Sequence, residues 1–216
     1  MDVQQNRNRT WLEIDLDRIC ENYRQIVKKL PASCQVMAIV KANAYGVGAI
    51  PIALALEKAG CSYFAVTFLE EALLLREAGL QGKILAMAPI EPNQVLSAAA
   101  ANVTITLTEV EGAREVAGQA QKAGVCLEAH LKLDTGLSRL GFVVAGREDM
   151  AVGECEQVLS MDGLHVTGIY THITAASETF PGGDSLNRQE LTRFVSVSGA
   201  LIEKGYALVR HSLSTG

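Results

Sequence analysis

The sequence predicts an α/β fold, and within that class a (β/α)8 barrel of the TIM type that lacks its eighth strand. Short apolar segments rich in Val and Ile alternate with helical segments at a repeat of roughly 20 to 40 residues, as in parallel sheets covered by helices. Many of the helical segments are followed by glycine, the usual residue of a left-handed C-terminal cap. Polar side chains recur where the predicted strands end, which is typical of a barrel mouth.

Strands and helices follow one another along most of the chain. Residues 10–16 alternate apolar and polar side chains, which predicts a strand with one face in solvent. Asp15 or Asp17 can cap the helix that follows, and Pro31 ends it. Further strands are predicted at 36–40, 63–67, 83–87, 103–107, 126–133, 164–170 and 207–210. Further helices are predicted at 50–59, 69–78, 92–101, 109–123, 149–160 and 185–203.

This repeat leaves two architectures open. A (β/α)8 barrel needs eight strands and typically about 250 residues, whereas a doubly wound open sheet could stop at seven. The polar residues favour the barrel because they follow several different strands: Lys41, Lys132 with Arg139, His172, and Ser214 with Thr215. We therefore expect residues 17–216 to form a barrel domain that is incomplete at its C-terminus.

Composition limits the classes of protein to which the chain can belong. Its 216 residues suit one large domain, and 49% of them are hydrophobic. No apolar run reaches the roughly 18 residues of a transmembrane helix, and the polar N-terminus lacks the apolar stretch of a signal peptide. We expect a cytoplasmic location and no membrane segment within this chain, with a larger membrane-linked parent protein as the alternative. The net charge of −5 and the scattered basic residues argue against a nucleic-acid partner.

The five cysteines lie far apart in the sequence, at Cys20, Cys34, Cys61, Cys126 and Cys155. No two of them form a CxxC pair, so the sequence predicts neither a zinc site nor a redox dithiol. We expect reduced thiols, most of them packed in the interior.

Lys41 stands directly after an apolar strand, in the segment Val40-Lys41-Ala42-Asn43-Ala44-Tyr45-Gly46-Val47-Gly48. An amine at a barrel mouth can form a Schiff base with an aldehyde cofactor, and burial would keep part of that amine neutral. The phenol of Tyr45 can reach a phosphate, and Gly46 and Gly48 would let the backbone approach a ligand. The alternative is a surface lysine that begins a loop.

A second polar cluster follows the strand at 126–133. Alternation places His130, Lys132 and Asp134 on one face of this strand, which in a barrel is the interior. Arg139 follows in a loop bounded by glycines, and a guanidinium is suited to two-point binding of a carboxylate. The alternative is a charged loop with a local Asp134–Arg139 ion pair.

Two more strand ends carry candidate site residues. His172 follows the strand at 164–170, where it can stack against a planar ring or pack as a core histidine. Ser214 and Thr215 follow the last strand, where hydroxyls and backbone N–H groups can bind a phosphate. The alternative for this last segment is a polar loop with a helix cap.

Taken in order, these segments resemble the N-terminal domain of the alanine racemases, which are fold-type III pyridoxal-phosphate enzymes. The resemblance extends from Glu13-Ile14-Asp15-Leu16 to His211. Its most specific parts are Val40-Lys41-Ala42-Asn43-Ala44-Tyr45-Gly46, and Leu133-Asp134-Thr135-Gly136 followed by Arg139-Leu140-Gly141-Phe142. Two positions depart from the family pattern. Ser177 stands where an aspartate is common, and the loop after His211 reads Ser-Leu-Ser-Thr where Ala-Asn-Ser is more frequent.

The resemblance implies a set of residues that bind pyridoxal 5′-phosphate. Lys41 would hold the cofactor covalently and act as one of two proton-transferring bases. Tyr45 would contact the phosphate, and His172 would lie against the pyridine ring. Thr215, with Ser214 just before it, falls where the family has a phosphate-binding serine.

The resemblance also implies residues that orient the substrate. Lys132 matches a lysine that is often carbamylated, and the carbamate would orient Arg139 toward the cofactor phenolic oxygen and the substrate carboxylate. The family closes its barrel with an eighth strand and adds a C-terminal β domain, with which residues 1–16 would pair. Its second base is a tyrosine that the partner subunit contributes. We therefore expect a homodimeric parent protein, and poor activity from this 216-residue piece alone.

The implied activity is the interconversion of L- and D-alanine, which supplies D-alanine for peptidoglycan. A serine racemase of the same family is an alternative, because residues outside this chain help to form the substrate pocket. A single-barrel protein that binds pyridoxal phosphate without catalysis is another. A decarboxylase on the same type of barrel fits the pattern from Lys41 to Arg139 less well.

Overall fold

The computed structural model describes residues 10–174 and 183–214, with the backbone alone at residues 183, 184, 213 and 214. Its helices are α1 (Leu16–Lys29), α2 (Lys41–Tyr45), α3 (Ala49–Lys58), α4 (Leu69–Glu77), α5 (Val95–Ala100), α6 (Val110–Ala123), α7 (Glu148–Leu159) and α8 (Gly183–Glu203). Its strands are β1 (Met37–Ile39), β2 (Tyr63–Val66), β3 (Lys83–Ala86), β4 (Val103–Leu107), β5 (Leu127–Asp134), β6 (Phe142–Val143), β7 (Leu164–Ile173) and β8 (Val209–Ser214). A 3-10 turn, Pro92–Gln94, precedes α5.

The strands form one parallel sheet in sequential order. The path is β1-β2-β3-β4-β5-β7-β8, with β6 beside β5. This is the strand order of a (β/α)8 barrel, whereas a doubly wound sheet reverses its order at a switch point. No pairing joins β8 to β1 within the described parts of the chain. The predicted incomplete barrel is confirmed, and the alternative of a doubly wound sheet is wrong.

The sheet buries apolar side chains on both faces, as the composition of its strands predicted. The larger apolar layer lies between the sheet and the helices, and its fully buried members include Phe64, Ile84, Ile105, Leu131 and Ile169. The opposite face is the barrel interior. A smaller apolar group lies there, formed by Ala65, Leu85 and Tyr170 with Met37, Ile39 and Met87 around them.

Strand β7 carries one more residue than the stretch of β5 beside it. Ala129 pairs with Val166, but the next residue of β5, His130, pairs with Gly168. Thr167 is therefore the additional residue of a bulge. Glycine is required at 168 because a Cβ there would lie 2.6 Å from the His130 ring. The bulge sets which side chains in the second half of β7 face the interior, since a shift of one residue exchanges the two faces of a strand.

The beginning of the chain differs from the sequence prediction. Residues 10–15 form neither helix nor strand. A strand needs a partner for its backbone hydrogen bonds, and none lies beside this segment in the part of the chain that the structure describes. The pairing of residues 1–16 with a further β domain stays a prediction. Asp15 is the N-cap of α1, as proposed, and accepts the Arg18 N–H at 3.0 Å.

The structure also bears on the expected packed thiols and on the expected absence of a membrane segment. Cys20, Cys61 and Cys155 are buried free thiols, whereas Cys34 and Cys126 are exposed free thiols. The expectation of packed thiols therefore holds for three of the five cysteines. Among the described residues, no helix combines the length and the apolar character that crossing a membrane requires.

Candidate active site

Four of the predicted site residues lie together at the carboxyl ends of the strands. Lys41 follows β1, Lys132 lies near the end of β5, Arg139 follows β5, and His172 lies near the end of β7. The pKa of Lys132 is lowered to about 8, chiefly by burial and then by the charges of Arg139 and Lys41, against an opposing effect of Asp134. Burial also lowers the pKa of His172, as do the charges of Arg139, Lys132 and Lys41. Because such effects fade with distance, the four side chains lie near one another at this end of the barrel.

The turn that begins at Lys41 has an unusual backbone. Residues 42–45 have φ values of 50°, 55°, 52° and 58°, so α2 is a left-handed turn after its first residue. Left-handed dihedrals cost roughly 1–2 kcal/mol for each residue other than glycine. The Asn43 side chain accepts the N–H of Ala49 at 2.9 Å, and Gly46, with φ of 90°, ends the turn. Local strain of this kind persists only where surrounding contacts hold it.

The left-handed turn brings Lys41 and Tyr45 to the same place. The Lys41 Nζ lies 5.9 Å from the centroid of the Tyr45 ring. Tyr45 is 67% exposed, and Lys41 is half-buried. Both side chains are therefore accessible at the mouth, where the sequence predicted a cofactor.

Lys132 is buried in the barrel interior, as predicted. It is 5% exposed, and its Nζ lies 5.9 Å from the centroid of the Tyr170 ring. No salt bridge to Lys132 occurs within residues 10–174 and 183–214. A buried ammonium without a carboxylate bonded to it is unfavourable, which agrees with a pKa of about 8. A substantial fraction of this amine is therefore neutral in mildly alkaline solution.

Asp134 ties the loop that carries Arg139 to the end of β5. Its Oδ1 accepts the N–H groups of Gly136 at 3.1 Å and Ser138 at 2.9 Å, and its Oδ2 accepts the Arg139 N–H at 2.8 Å. The alternative of a local Asp134–Arg139 ion pair is not what the described contacts show, because the carboxylate bonds the backbone of Arg139 and not its guanidinium. The loop is thereby fixed while the Arg139 side chain stays exposed.

Helix α8 holds the ends of β5 and β7 from outside. Glu190 is fully buried and accepts both the N–H and the hydroxyl of Thr174, the former at 2.8 Å. Thr174 follows His172 by two residues. One turn along α8, Arg193 donates to the carbonyl of Thr135 at 2.8 Å. A single helix thus positions both of the strand ends that carry Lys132, Arg139 and His172.

A buried polar chain lies in the barrel interior. His130 Nδ1 and His211 Nε2 are 2.9 Å apart, and the Tyr170 ring stacks on His211 with centroids 4.8 Å apart. The Tyr170 hydroxyl and Thr106 Oγ1 are 3.0 Å apart. Burial lowers the pKa of His130 to about 4 and that of His211 to about 3. Both imidazoles are therefore neutral near neutral pH. The alternation of β5 predicted an interior His130, but no pattern in the sequence indicated its partner.

The predicted phosphate contacts at the end of β8 are described only in part. Ser214 is the last residue of β8, and its backbone pairs with Ile173, next to His172. Its side chain, Thr215 and Ser177 lie outside the described residues. The roles of Ser214 and Thr215 stay predictions.

A cavity of about 670 Å³ opens beside the Arg139 loop. Its lining includes Thr108 and Glu109 after β4, and Asp134, Ser138 and Arg139 at the end of β5. Pockets of roughly 300–1,000 Å³ typically bind small molecules. This cavity is therefore large enough for a ligand of that class, but of the four clustered residues only Arg139 is among its lining residues.

Comparison with known proteins extends over nearly the whole chain. The family model of the alanine racemase N-terminal domain matches residues 14–216. The chain belongs to this family. Among curated racemases, the one from Desulforamulus reducens is 39% identical over 93% of this chain and 53% of its own length. The one from Carboxydothermus hydrogenoformans is 34% identical over 95% of this chain and 54% of its own length. The chain thus spans about half the length of the curated racemases that it matches.

Solved alanine racemase structures share the fold. The racemase from Clostridium difficile 630 superposes with a TM-score of 0.88 and 25% identity, over 98% of this chain and 56% of that chain. The Bacillus anthracis racemase with bound L-Ala-P superposes with a TM-score of 0.83 and 30% identity, over 94% of this chain and 51% of that chain. The Streptomyces coelicolor A3(2) racemase superposes with a TM-score of 0.80 and 32% identity, over 92% of this chain and 52% of that chain. The barrel inferred from the strand order is therefore the N-terminal barrel of the racemases.

Proposed function

We propose that this chain carries the pyridoxal-phosphate site of an alanine racemase and one of its two proton-transferring bases. The observation that supports the proposal is the cluster of Lys41, Lys132, Arg139 and His172 at one barrel mouth, where the charges of Lys41 and Arg139 lower the pKa values of Lys132 and His172. Racemisation with pyridoxal phosphate needs groups that bind the anionic cofactor and substrate, and a base that can exchange the α-proton. This cluster offers both.

The donor set of the mouth fits pyridoxal 5′-phosphate, which combines an aldehyde, an anionic phosphate and a planar pyridine ring. Lys41 offers the amine for the aldehyde, Tyr45 a phenol for the phosphate, and His172 an imidazole for the face of the ring. Ser214 and Thr215 are proposed phosphate contacts. When bound, the cofactor withdraws electrons from the α-carbon of the amino acid and so makes its α-proton acidic.

The residues of this chain would act on the substrate in distinct ways. Lys41 is proposed to take the α-proton on one face of the substrate and to return a proton to that face. Arg139, on the loop that Asp134 fixes, is proposed to bind the substrate carboxylate, since a guanidinium matches that group at two points. A second base must serve the opposite face. We propose that it is a tyrosine of a C-terminal domain, contributed by the partner subunit of a homodimer.

We further propose that Lys132 is carbamylated. Its neutral amine would attack the carbon of CO2, form an N–C bond and release one proton. The reaction needs a neutral amine, and a pKa of about 8 leaves part of Lys132 neutral near physiological pH. The product would be an anion beside Arg139, which replaces the repulsion between two cations with attraction. Native mass spectrometry in the presence and absence of CO2 would detect the adduct.

The biological role and the specificity belong to the same proposal. An alanine racemase in the cytoplasm would supply D-alanine for peptidoglycan. Relatives named alanine racemase that are up to 39% identical favour alanine as the substrate. Serine remains the second candidate substrate, and binding of the cofactor without catalysis remains the second candidate function.

The first test is the attachment of the cofactor. Pyridoxal phosphate is added to the protein, the complex is reduced with borohydride, and the modified lysine is identified by mass spectrometry. We expect modification at Lys41 and its loss in Lys41→Ala. The variant Lys58→Ala, at an exposed lysine on α3, is the matched control and should be modified like the wild type. Modification at another lysine, or none in the wild type, would contradict the proposed site.

The second test separates a racemase from a binding protein. The cofactor-loaded protein is incubated in D2O with L-alanine, D-alanine, L-serine or D-serine, and loss of the α-proton is followed by NMR. With Lys41 on one face, this chain should exchange the α-proton of one alanine enantiomer at least roughly tenfold faster than it interconverts the two. Faster exchange of serine would favour the serine racemase. A loaded protein that exchanges neither enantiomer of either amino acid would be a binding protein.

A further inference from the structure

Glu71 links the Lys41 turn to the neighbouring βα unit. It lies in the first turn of α4, after β2, and is half-buried. Its Oε1 accepts the N–H of Ala42 at 2.5 Å. Its Oε2 accepts the N–H groups of Thr67 at 2.8 Å and Phe68 at 3.1 Å. One carboxylate thus bonds three backbone donors on two segments that are far apart in sequence.

The contact with Phe68 has an ordinary explanation, but the contact with Ala42 does not. A glutamate at the third helical position commonly bonds the N-cap N–H, and this accounts for Oε2. Ala42 belongs to the left-handed turn and contributes nothing to α4. Its N–H is the first donor after Lys41, at the point where the backbone changes from β1 to left-handed dihedrals. Oε1 therefore binds the turn at the position from which the Lys41 side chain leaves it.

We propose that Glu71 is a positioning residue, which holds the left-handed turn so that Lys41 and Tyr45 meet at the cofactor site. The inference rests on the proposed function, in which Lys41 and Tyr45 bind the cofactor. Lys41 precedes residues 42–45, and Tyr45 is the last of them, so the relative placement of the two side chains depends on every dihedral between them. A turn that relaxes toward right-handed or extended backbone would separate Nζ from the phenol.

A charged carboxylate suits this role better than an amide. Both oxygens of Glu71 accept hydrogen bonds from the backbone. Glutamine keeps the shape but replaces one acceptor with a donor NH2 group. Glu71→Gln must therefore give up either the bond to Ala42 or the bonds to Thr67 and Phe68. Glu71→Ala gives up all three.

The test compares Glu71→Gln and Glu71→Ala with a matched control, Glu70→Gln. Glu70 is the adjacent residue of the same helical turn, but its described contact is with Gln94 Nε2, at 2.8 Å. Three quantities are measured for each variant: amide hydrogen exchange without cofactor, the Kd for pyridoxal phosphate below the melting range, and the rate of borohydride-trapped attachment at Lys41.

We expect Glu71→Ala to speed amide exchange at residues 42–46 and to weaken pyridoxal-phosphate binding by roughly tenfold or more, as expected for lost charge-assisted hydrogen bonds. Attachment at Lys41 should slow in parallel. Glu71→Gln should lie between Glu71→Ala and the wild type, and Glu70→Gln should match the wild type. A purely structural role would lower the melting temperature while leaving the cofactor Kd and the attachment rate of the folded protein unchanged.

Amide exchange is measured without cofactor, whereas the Kd and the attachment rate require it. These two kinds of measurement separate failure of this inference from failure of the proposed function. If the wild type takes up no pyridoxal phosphate, the proposed function fails, and amide exchange at residues 42–46 still decides whether Glu71 holds the turn. Wild-type exchange at these residues in a folded Glu71→Gln and Glu71→Ala would overturn the inference. So would a wild-type Kd and attachment rate in both variants.

Discussion

At the scale of single residues, Gly141 shows how closely the Arg139 loop approaches the sheet. The loop returns to β5 at this position, where φ is +129°. A Cβ on Gly141 would lie 2.6 Å from the Lys132 carbonyl oxygen and 2.8 Å from the Asp134 nitrogen. Both atoms belong to the backbone of a buried strand, so neither can move without disturbing the sheet. The position of Arg139 therefore depends on the absence of a side chain two residues further on.

We predict that Gly141→Ala destabilises the protein by about 3 kcal/mol and displaces the Arg139 loop, because the clash adds to the cost of a positive φ. Gly146→Ala is the matched control. Its φ is +70°, but a Cβ there meets no atom within 4 Å, so it should cost only about 1 kcal/mol. Urea denaturation of both variants measures the difference. Equal losses of stability would show that the close contact has no role.

Several residues of the site could not be recognised from the sequence. Glu71 has the pattern of a helix N-terminal glutamate, and its bond to Ala42 becomes visible only when α4 packs beside the turn. Alanines at 42 and 44 give no sign of left-handed dihedrals, because alanine favours right-handed helix. The glycines at 46 and 48 were the one local signal that the backbone turns there. The candidate site residues themselves could be proposed from the sequence, because they lie at the ends of periodic apolar strands.

At the scale of elements, α8 joins two loops that are separate in the sequence. Glu190 bonds Thr174 beyond β7, and Arg193 bonds Thr135 beyond β5. A buried pair, Thr135 Oγ1 and Thr171 Oγ1 at 2.8 Å, connects the same two strand ends from within. The loops of Arg139 and His172 are therefore expected to move together, or not at all.

We predict that Glu190→Ala costs about 2–4 kcal/mol, because the N–H and hydroxyl of Thr174 lose their buried acceptor. Amide hydrogen exchange should rise at residues 135–140 as well as at 173 and 174, since α8 holds both segments. Glu203→Ala, at an exposed position in the last turn of the same helix, is the control and should change neither quantity. An increase confined to residues 173 and 174 would mean that the two loops are independent.

Element boundaries were predicted well where the sequence is periodic, and poorly where contacts with distant residues determine whether a strand forms. The helices and parallel strands lie within a few residues of their predicted positions, because glycine caps and apolar runs mark them. Strand β6 has two residues and no period. Residues 10–15 have the alternation of a strand but no partner strand within residues 10–174 and 183–214. Alternation shows that a segment can form a strand, but it forms one only where a partner strand supplies backbone hydrogen bonds.

At the scale of the whole molecule, polar groups occupy successive levels along the barrel axis. Glu128 and Lys83 form a salt bridge of 3.3 Å at the start of their strands. The His130–His211 pair lies further along, and the cationic cluster occupies the mouth. No buried side-chain nitrogen or oxygen in the described residues lacks a hydrogen-bond partner. The polar interior is thus satisfied internally, but only for particular protonation states.

We predict that acid destabilises the protein through the His130–His211 pair. Unfolded histidines take up protons near pH 6.5, whereas in the folded protein the pKa values are about 4 for His130 and about 3 for His211. Protons therefore favour the unfolded state below pH 6.5, and this part of the stability falls until the folded pKa values are passed. The slope is at most about 1.4 kcal/mol per pH unit for each histidine.

The measurement is the free energy of unfolding in urea at pH 7, 6, 5 and 4. His211→Gln should be less stable at pH 7 but should lose less further stability on acidification than the wild type. His165→Gln, at an exposed histidine of β7, is the control and should retain the wild-type acid sensitivity. If His211→Gln and the wild type lose stability in parallel, the pair is not the acid-sensitive element.

The bulge in β7 has a consequence for how the length of this chain can vary. Insertions and deletions in surface loops are usually tolerated, but the extra residue Thr167 is of a different kind. Deleting it would allow β7 to pair with β5 in unbroken register, and every residue beyond it would keep its present partner, because Gly168 already pairs with His130. If Thr167 instead entered the ladder opposite His130, Tyr170 and His172 would face the helices, and Ile169 and Thr171 would face the barrel interior. The bulge thus absorbs one residue of the strand, and the loss of that single codon would leave the inner and outer surfaces of β7 as they are.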